Sequence, residues 1–183
     1  MSSASFAEPL AVWLGERMPL RLFGTAAAVL LGAAAAGGRP TLAWLPGAIA
    51  ALALLLFQFR LWDDLADVRR DRIEHPERFL VHCASLAPFH AALVATGVAG
   101  VLAVSLLSGP YAALTLVALD AGAAFWYRRP FARRVGLRGS LMVLAKYPLF
   151  TALVAPAPLD GLALTGACGA VYVVFCLYEW RTA

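Results

Sequence analysis

Six apolar runs, each bounded by charged or turn-forming residues, dominate the chain: approximately residues 22–37, 42–59, 90–107, 111–127, 140–154 and 162–178. Of the 183 residues, 62% are hydrophobic and only 14% charged, against about a quarter charged in an ordinary soluble domain. So little polar surface cannot cover a globule in water, whereas a bilayer requires only that each spanning segment satisfy its own backbone. A water-soluble fold is thereby excluded. Ala and Leu dominate the runs, β-branched residues are scarce and no alternation is present, so the runs read as helices and not as strands of an outer-membrane barrel. The expected fold is all-α, a polytopic membrane helix bundle of about six transmembrane helices forming one domain over residues 1–183.

Orientation follows from the arginines, which cytoplasmic loops retain close to span ends. Arg17 and Arg21 precede the first run, Arg60, Arg69, Arg70, Arg72 and Arg78 follow the second, and Arg128, Arg129, Arg133, Arg134 and Arg138 follow the fourth. Arg181 follows the sixth, and only Arg39 falls in a loop on the opposite side. With six spans, the loops 60–89 and 128–139 and both termini are expected on the cytoplasmic side of an inner (plasma) membrane. A cleaved signal peptide fits the first run poorly, because the 21 residues before Leu22 include Glu8 and Glu16 and are long for an n-region. Cys83, Cys168 and Cys176 show no paired spacing and read as packing residues. Arginines beside span ends call for no nucleic-acid partner.

The chemistry concentrates after the second run, in Arg60-Leu-Trp-Asp-Asp-Leu-Ala-Asp-Val-Arg-Arg-Asp-Arg-Ile-Glu-His-Pro-Glu-Arg78. If the helix continues, at about 100° per residue Asp67 lies about 60° and Asp71 about 20° from Asp64, so three carboxylates share one narrow face flanked by Asp63 and Glu74. Such acids repel one another, more so where the membrane lowers the dielectric. A cation should compensate them. Arg60, Arg70 and Arg78 near the same face would make a salt-bridged helix end; Mg²⁺, which binds through one or two carboxylates plus substrate phosphates, would make a site. Spacing alone leaves both open.

Asp63-Asp64-Leu65-Ala66-Asp67-Val68-Arg69-Arg70-Asp71 resembles the first aspartate-rich motif, (N/D)DxxDxxxD, of the UbiA-type membrane prenyltransferases, which also lies at the cytoplasmic end of a second helix. His75-Pro76-Glu77-Arg78 is similar to that family's continuation, although Phe79 stands where its usual Pro follows the Arg. Tyr127-Arg128-Arg129-Pro130-Phe131-Ala132-Arg133-Arg134 is similar to the aromatic-then-basic lead-in to the family's fifth helix. The resemblance implies that Asp64, Asp67 and Asp71 are the catalytic acids, holding Mg²⁺ together with Asp63, where the family usually has Asn, and Glu179. It implies that Arg133, Arg134 and Lys146 contact the diphosphate of a prenyl diphosphate, whose allylic cation a lipophilic acceptor captures. Arg133 and Arg134 also read as topological anchors without any ligand. Trp62, Tyr127 and Phe150 are candidates for an isoprenoid channel or for interfacial anchors.

Within the spans, Asp120 and Lys146 each lie about seven residues from a cytoplasmic end, so the first expectation is an ion pair between them; the alternative has Lys146 reaching the diphosphate beside a Pro148 kink. The second and sixth runs end alike, in Phe59-Arg-Leu-Trp-Asp63 and Phe175-Cys-Leu-Tyr-Glu179. In the family a second aspartate motif follows helix six; here Glu179 begins it and Ala183 occupies its next acidic position. Helices seven to nine of the family pattern have no counterpart. The expected function is therefore Mg²⁺-dependent prenyl transfer, with the site completed in a homo-oligomer or by a partner subunit. The alternatives are a non-catalytic or accessory protein that binds prenyl diphosphate or lipid, and a terpene cyclase of the same superfamily. A CDP-alcohol phosphotransferase is disfavoured because Val68 follows Asp67 where that motif needs Gly, and its second half is absent.

Overall fold

The computed structural model describes residues 7–128 and 137–182, and every regular element among them is helical. In chain order these are α1 (Ala7–Arg17), α2 (Leu20–Ala36), α3 (Trp44–Glu74), α4 (Phe79–His82), α5 (Ala87–Ser108), α6 (Pro110–Tyr127), α7 (Leu137–Leu144), α8 (Lys146–Val154) and α9 (Gly161–Thr182). Three of them, α3, α5 and α9, are long and apolar enough to cross a membrane, and a fourth crossing is added if α1 and α2, bent by 77°, count as one. The run at 111–127 corresponds to α6, of 18 residues with Asp120 in its interior. The run at 140–154 is divided between α7 and α8.

Two features differ from expectation for identifiable reasons. The stretch from residue 60 is not a loop: α3 continues unbroken for 31 residues to Glu74, where Pro76 prevents further helix. The predicted fifth span breaks at Ala145, because Pro148 has no N–H to offer the Leu144 carbonyl and its ring crowds that position. The chain responds with a tighter turn, the Ala145 N–H donating to the Met142 carbonyl at 3.3 Å. The turn at Ser108-Gly109-Pro110 forms as the sequence suggests. Gly109 takes φ +88°, which side chains avoid, and Pro110 opens α6 with the fixed φ a first helical turn needs.

α3 is the central stave, packed against α2 and α5, with α6 on α5 and with α8 and α9 on α2. Leu30 and Ala34 of α2, Leu52, Leu55 and Phe59 of α3, and Phe150 and Val154 of α8 meet in a fully buried core. Ala34, Ala48 and Ala51 at the α2–α3 contact let the backbones approach closely, the usual solution where lipid supplies no hydrophobic drive between helices. The outer faces stay apolar: Val94, Val98, Leu102 and Leu106 form an exposed stripe at every fourth residue of α5, and Leu162, Val173 and Trp180 are exposed on α9. An exposed apolar surface of this extent points to a membrane environment.

At the end remote from the acidic stretch, Asp160 caps α9 by accepting the N–H groups of Leu162 and Ala163 at 3.1 and 3.0 Å. Its own N–H donates to the Gly37 carbonyl at 3.0 Å, clipping the α8–α9 loop to the end of α2. The fit is tight, since a Cβ on Gly38 would stand 1.9 Å from the Pro156 carbonyl oxygen. Gly38→Ala is expected to destabilise the protein by about 1–3 kcal/mol, read as a lower thermal unfolding midpoint in detergent. An unchanged midpoint would mean that the two loops do not pack.

Candidate functional site

The extended α3 carries its acids into two different environments. Asp64 is buried and saturated with donors. Trp13 Nε1 donates to its Oδ2 at 3.1 Å, Arg17 Nε to Oδ2 at 3.0 Å, Arg17 Nη2 to Oδ1 at 2.8 Å, and Arg60 Nη2 lies 3.1 Å from Oδ1. Trp13 and Arg17 are four residues apart and so share one face of α1, while Arg60 and Asp64 have the same spacing on α3. The bond to Asp64 pushes the Arg17 guanidinium above its usual value, outweighing the opposing effect of burial. Asp71, also buried, is paired with Arg78, and Arg70 is paired with Glu74. Asp67 is half-buried between them.

Asp63, one residue earlier and therefore about 100° around the helix, has different partners. It receives a hydrogen bond from the Tyr127 hydroxyl and lies 2.6 Å from Lys146 Nζ. The Lys146 side chain is 7% exposed, with its ammonium 5.7 Å from the Phe59 ring centre and 5.5 Å from that of Tyr147. The expected Asp120–Lys146 pair is not formed. The break at Ala145 makes Lys146 the first residue of α8, beside Asp63, and Asp120 instead accepts a hydrogen bond from Gln58 Nε2 at 2.9 Å.

Between α2, α3, α8 and α9 lies a cavity of about 350 Å³. Its walls include Phe23, Phe59, Tyr147, Phe150 and Phe175, with Tyr147 stacked on Phe175 at 4.0 Å. Arg17, Arg60 and Lys146 also line it, as do Glu16, Asp63 and Glu179. The lining thus joins aromatic walls to three cations and three carboxylates, with Arg17 and Arg60 paired to Asp64 and Lys146 to Asp63. Arg60 Nε is buried without a hydrogen-bond partner, a donor unmatched by the surrounding protein.

Of the residues singled out by sequence, Asp63, Lys146 and Glu179 are brought to this one cavity. Asp64, Asp67 and Asp71 do not line it, and Arg133 and Arg134 lie outside the described residues. The oxygens of Asp64 and Asp71 are engaged by arginine, and no group of three or more His, Cys, Asp or Glu able to hold a metal ion occurs among the described residues. The shared aspartate face is thus arranged as a salt-bridged helix end, with arginines where a metal ion would otherwise compensate Asp64 and Asp71. Sequence reasoning missed Trp13 and the reach of Arg17, for which the signal was their shared face on a short helix next to an acid-rich one.

Two tests follow from this geometry. Asp64→Ala strands two arginines and an indole N–H, so a loss of about 3–5 kcal/mol is expected, with earlier proteolytic release of α1; an unchanged unfolding midpoint would remove Asp64 as the anchor. In double-mutant cycles, Asp63→Asn with Lys146→Met should be non-additive, whereas Asp120→Asn with Lys146→Met should add. The reverse pattern would restore the Asp120–Lys146 pair. No family model, curated protein or solved structure matches the chain in comparisons with known proteins.

Proposed function

We propose that the protein is a UbiA-like membrane prenyltransferase of six passes with both termini on the cytoplasmic side, binding a prenyl diphosphate in the α2–α3–α8–α9 cavity for transfer to a lipophilic acceptor. The observation that carries this reading is the cavity itself, in which six aromatic rings share a chamber with Arg17, Arg60 and Lys146. The aspartate-rich stretch and the repeated Phe-x-Leu-aromatic-acid ends at Asp63 and Glu179 support it.

In this reading the diphosphate oxygens are held by Arg60 and Lys146, charge-assisted donors whose bonds are about twice as strong as neutral ones. The isoprenoid chain lies against Phe59, Phe150 and Phe175, and the faces of Phe59 and Tyr147 favour the positive charge that develops as the C1–O bond breaks and diphosphate leaves with the bonding pair. The apolar walls keep water from capturing that cation before the acceptor does. Asp63 and Glu179 both line the cavity, and in this reading they would hold Mg²⁺ together with phosphate oxygens once the diphosphate draws Lys146 away from Asp63. Bound there, the ion would neutralise the leaving diphosphate. A second reading, binding without transfer in an accessory role, is favoured by one observation: arginines occupy Asp64 and Asp71.

The deciding experiment is equilibrium binding of farnesyl and geranylgeranyl diphosphate to the detergent-purified protein, with and without Mg²⁺, followed by assay of released diphosphate. Binding with release is the expected outcome, and Arg60→Gln should weaken it about tenfold or more. Binding without release would select the accessory reading. Absence of binding would overturn both.

A further inference from the structure

We propose that the groove between α3, α5 and α6 is a second binding site, taking a membrane-soluble molecule whose head donates a hydrogen bond, a long-chain alcohol. The groove has a volume of about 440 Å³ and is lined by other residues of α3 than the cavity: Gln58 and Trp62 line it, whereas Phe59 and Asp63 line the cavity. Its walls are apolar, and Val94, Val98 and Leu102 bring them to the exposed face of α5.

Set into these walls are Gln58, 2% exposed, and Asp120. They are short of donors. Gln58 gives an amide N–H to Asp120 Oδ1 at 2.9 Å, and its own Oε1 is buried with no hydrogen-bond partner. The carboxylate has capacity for more bonds than this one. Gly97 of α5 keeps the place open for the amide, since a Cβ there would lie 3.3 Å from Gln58 Nε2. The amide oxygen is buried without a partner and the half-buried carboxylate beside it opens on the groove, and polar groups at such depth mark sites by default. An occupant that brings one hydroxyl proton supplies what the pair lacks, and its alkyl chain takes the apolar walls. The proposal is independent of any ligand in the cavity.

The test compares 1-dodecanol with dodecyl methyl ether, equal in tail but lacking the donor, added at matched mole fractions to the full chain in phosphatidylcholine nanodiscs. Apparent affinity is read from the rise in unfolding midpoint. The alcohol is expected to bind about tenfold more tightly than the ether, and Val98→Trp, which fills the groove from its exposed wall, should abolish the difference. Gln58→Leu should do the same; if that variant folds poorly, the Val98→Trp comparison decides. Equal responses to alcohol and ether, or a preference that survives Val98→Trp, would overturn the site. Farnesyl diphosphate binding should be unchanged in Val98→Trp, which separates failure of the groove from failure of the cavity reading.

Discussion

The buried charge of Asp64 governs the polar end of the molecule. A carboxylate withdrawn from water costs several kcal/mol unless it is fully paired, and α3 alone offers it only Arg60. The remaining partners, Trp13 and Arg17, must come from α1, 51 and 47 residues away in sequence. Compensating one charge therefore folds the N-terminal helix back onto α3. Once there, α1 buries Trp13 edge-on against Phe57 and in a cluster with Leu61, Val68, Leu80 and Phe89. It also presents Glu16 to the Phe79 N–H at 3.1 Å, which fixes the start of α4. One electrostatic requirement and the apolar cluster beside it thus hold α1 and α4 against α3.

A second constraint, the missing N–H of Pro148, shapes the cavity. Had the predicted fifth span run straight, Lys146 would sit two turns inside a helix with its ammonium in hydrocarbon. The break instead starts a new helix at Lys146, where the ammonium finds Asp63 and two aromatic faces. Tyr147, next along, turns its ring onto Phe175. The charged and aromatic parts of the chamber meet because one backbone hydrogen bond cannot form.

What could be read from the sequence divides along the range of the interactions. The apolar runs at 22–37, 42–59, 90–107 and 162–178 and the Gly109 turn follow from local pattern, and they appear as helices and turn in the structure, whereas the stretch after Phe59, expected as a loop, continues α3 to Glu74. The convergence of Asp63 and Glu179 was signalled by the repeated ends of two runs 116 residues apart. What was not legible was which cation each acid would take. Asp120 and Lys146 were matched by counting residues from a span end, and that measure of depth fails once a helix breaks. For Asp64 and Asp71 the shared face left arginine and Mg²⁺ both open, and the structure pairs Asp64 with Arg60, four residues before it, and with Arg17, and Asp71 with Arg78.

Arg17 belongs to two neighbourhoods at once, as the clasp on Asp64 and as part of the cavity lining. A guanidinium cannot serve two anions at full strength. The two contacts are therefore linked: an anion in the cavity that draws Arg17 off Asp64 weakens the docking of α1, and by thermodynamic reciprocity a tighter Arg17–Asp64 pair weakens the hold on that anion by the same factor. The helix that closes the polar end is in this sense a competitor for the contents of the chamber beside it.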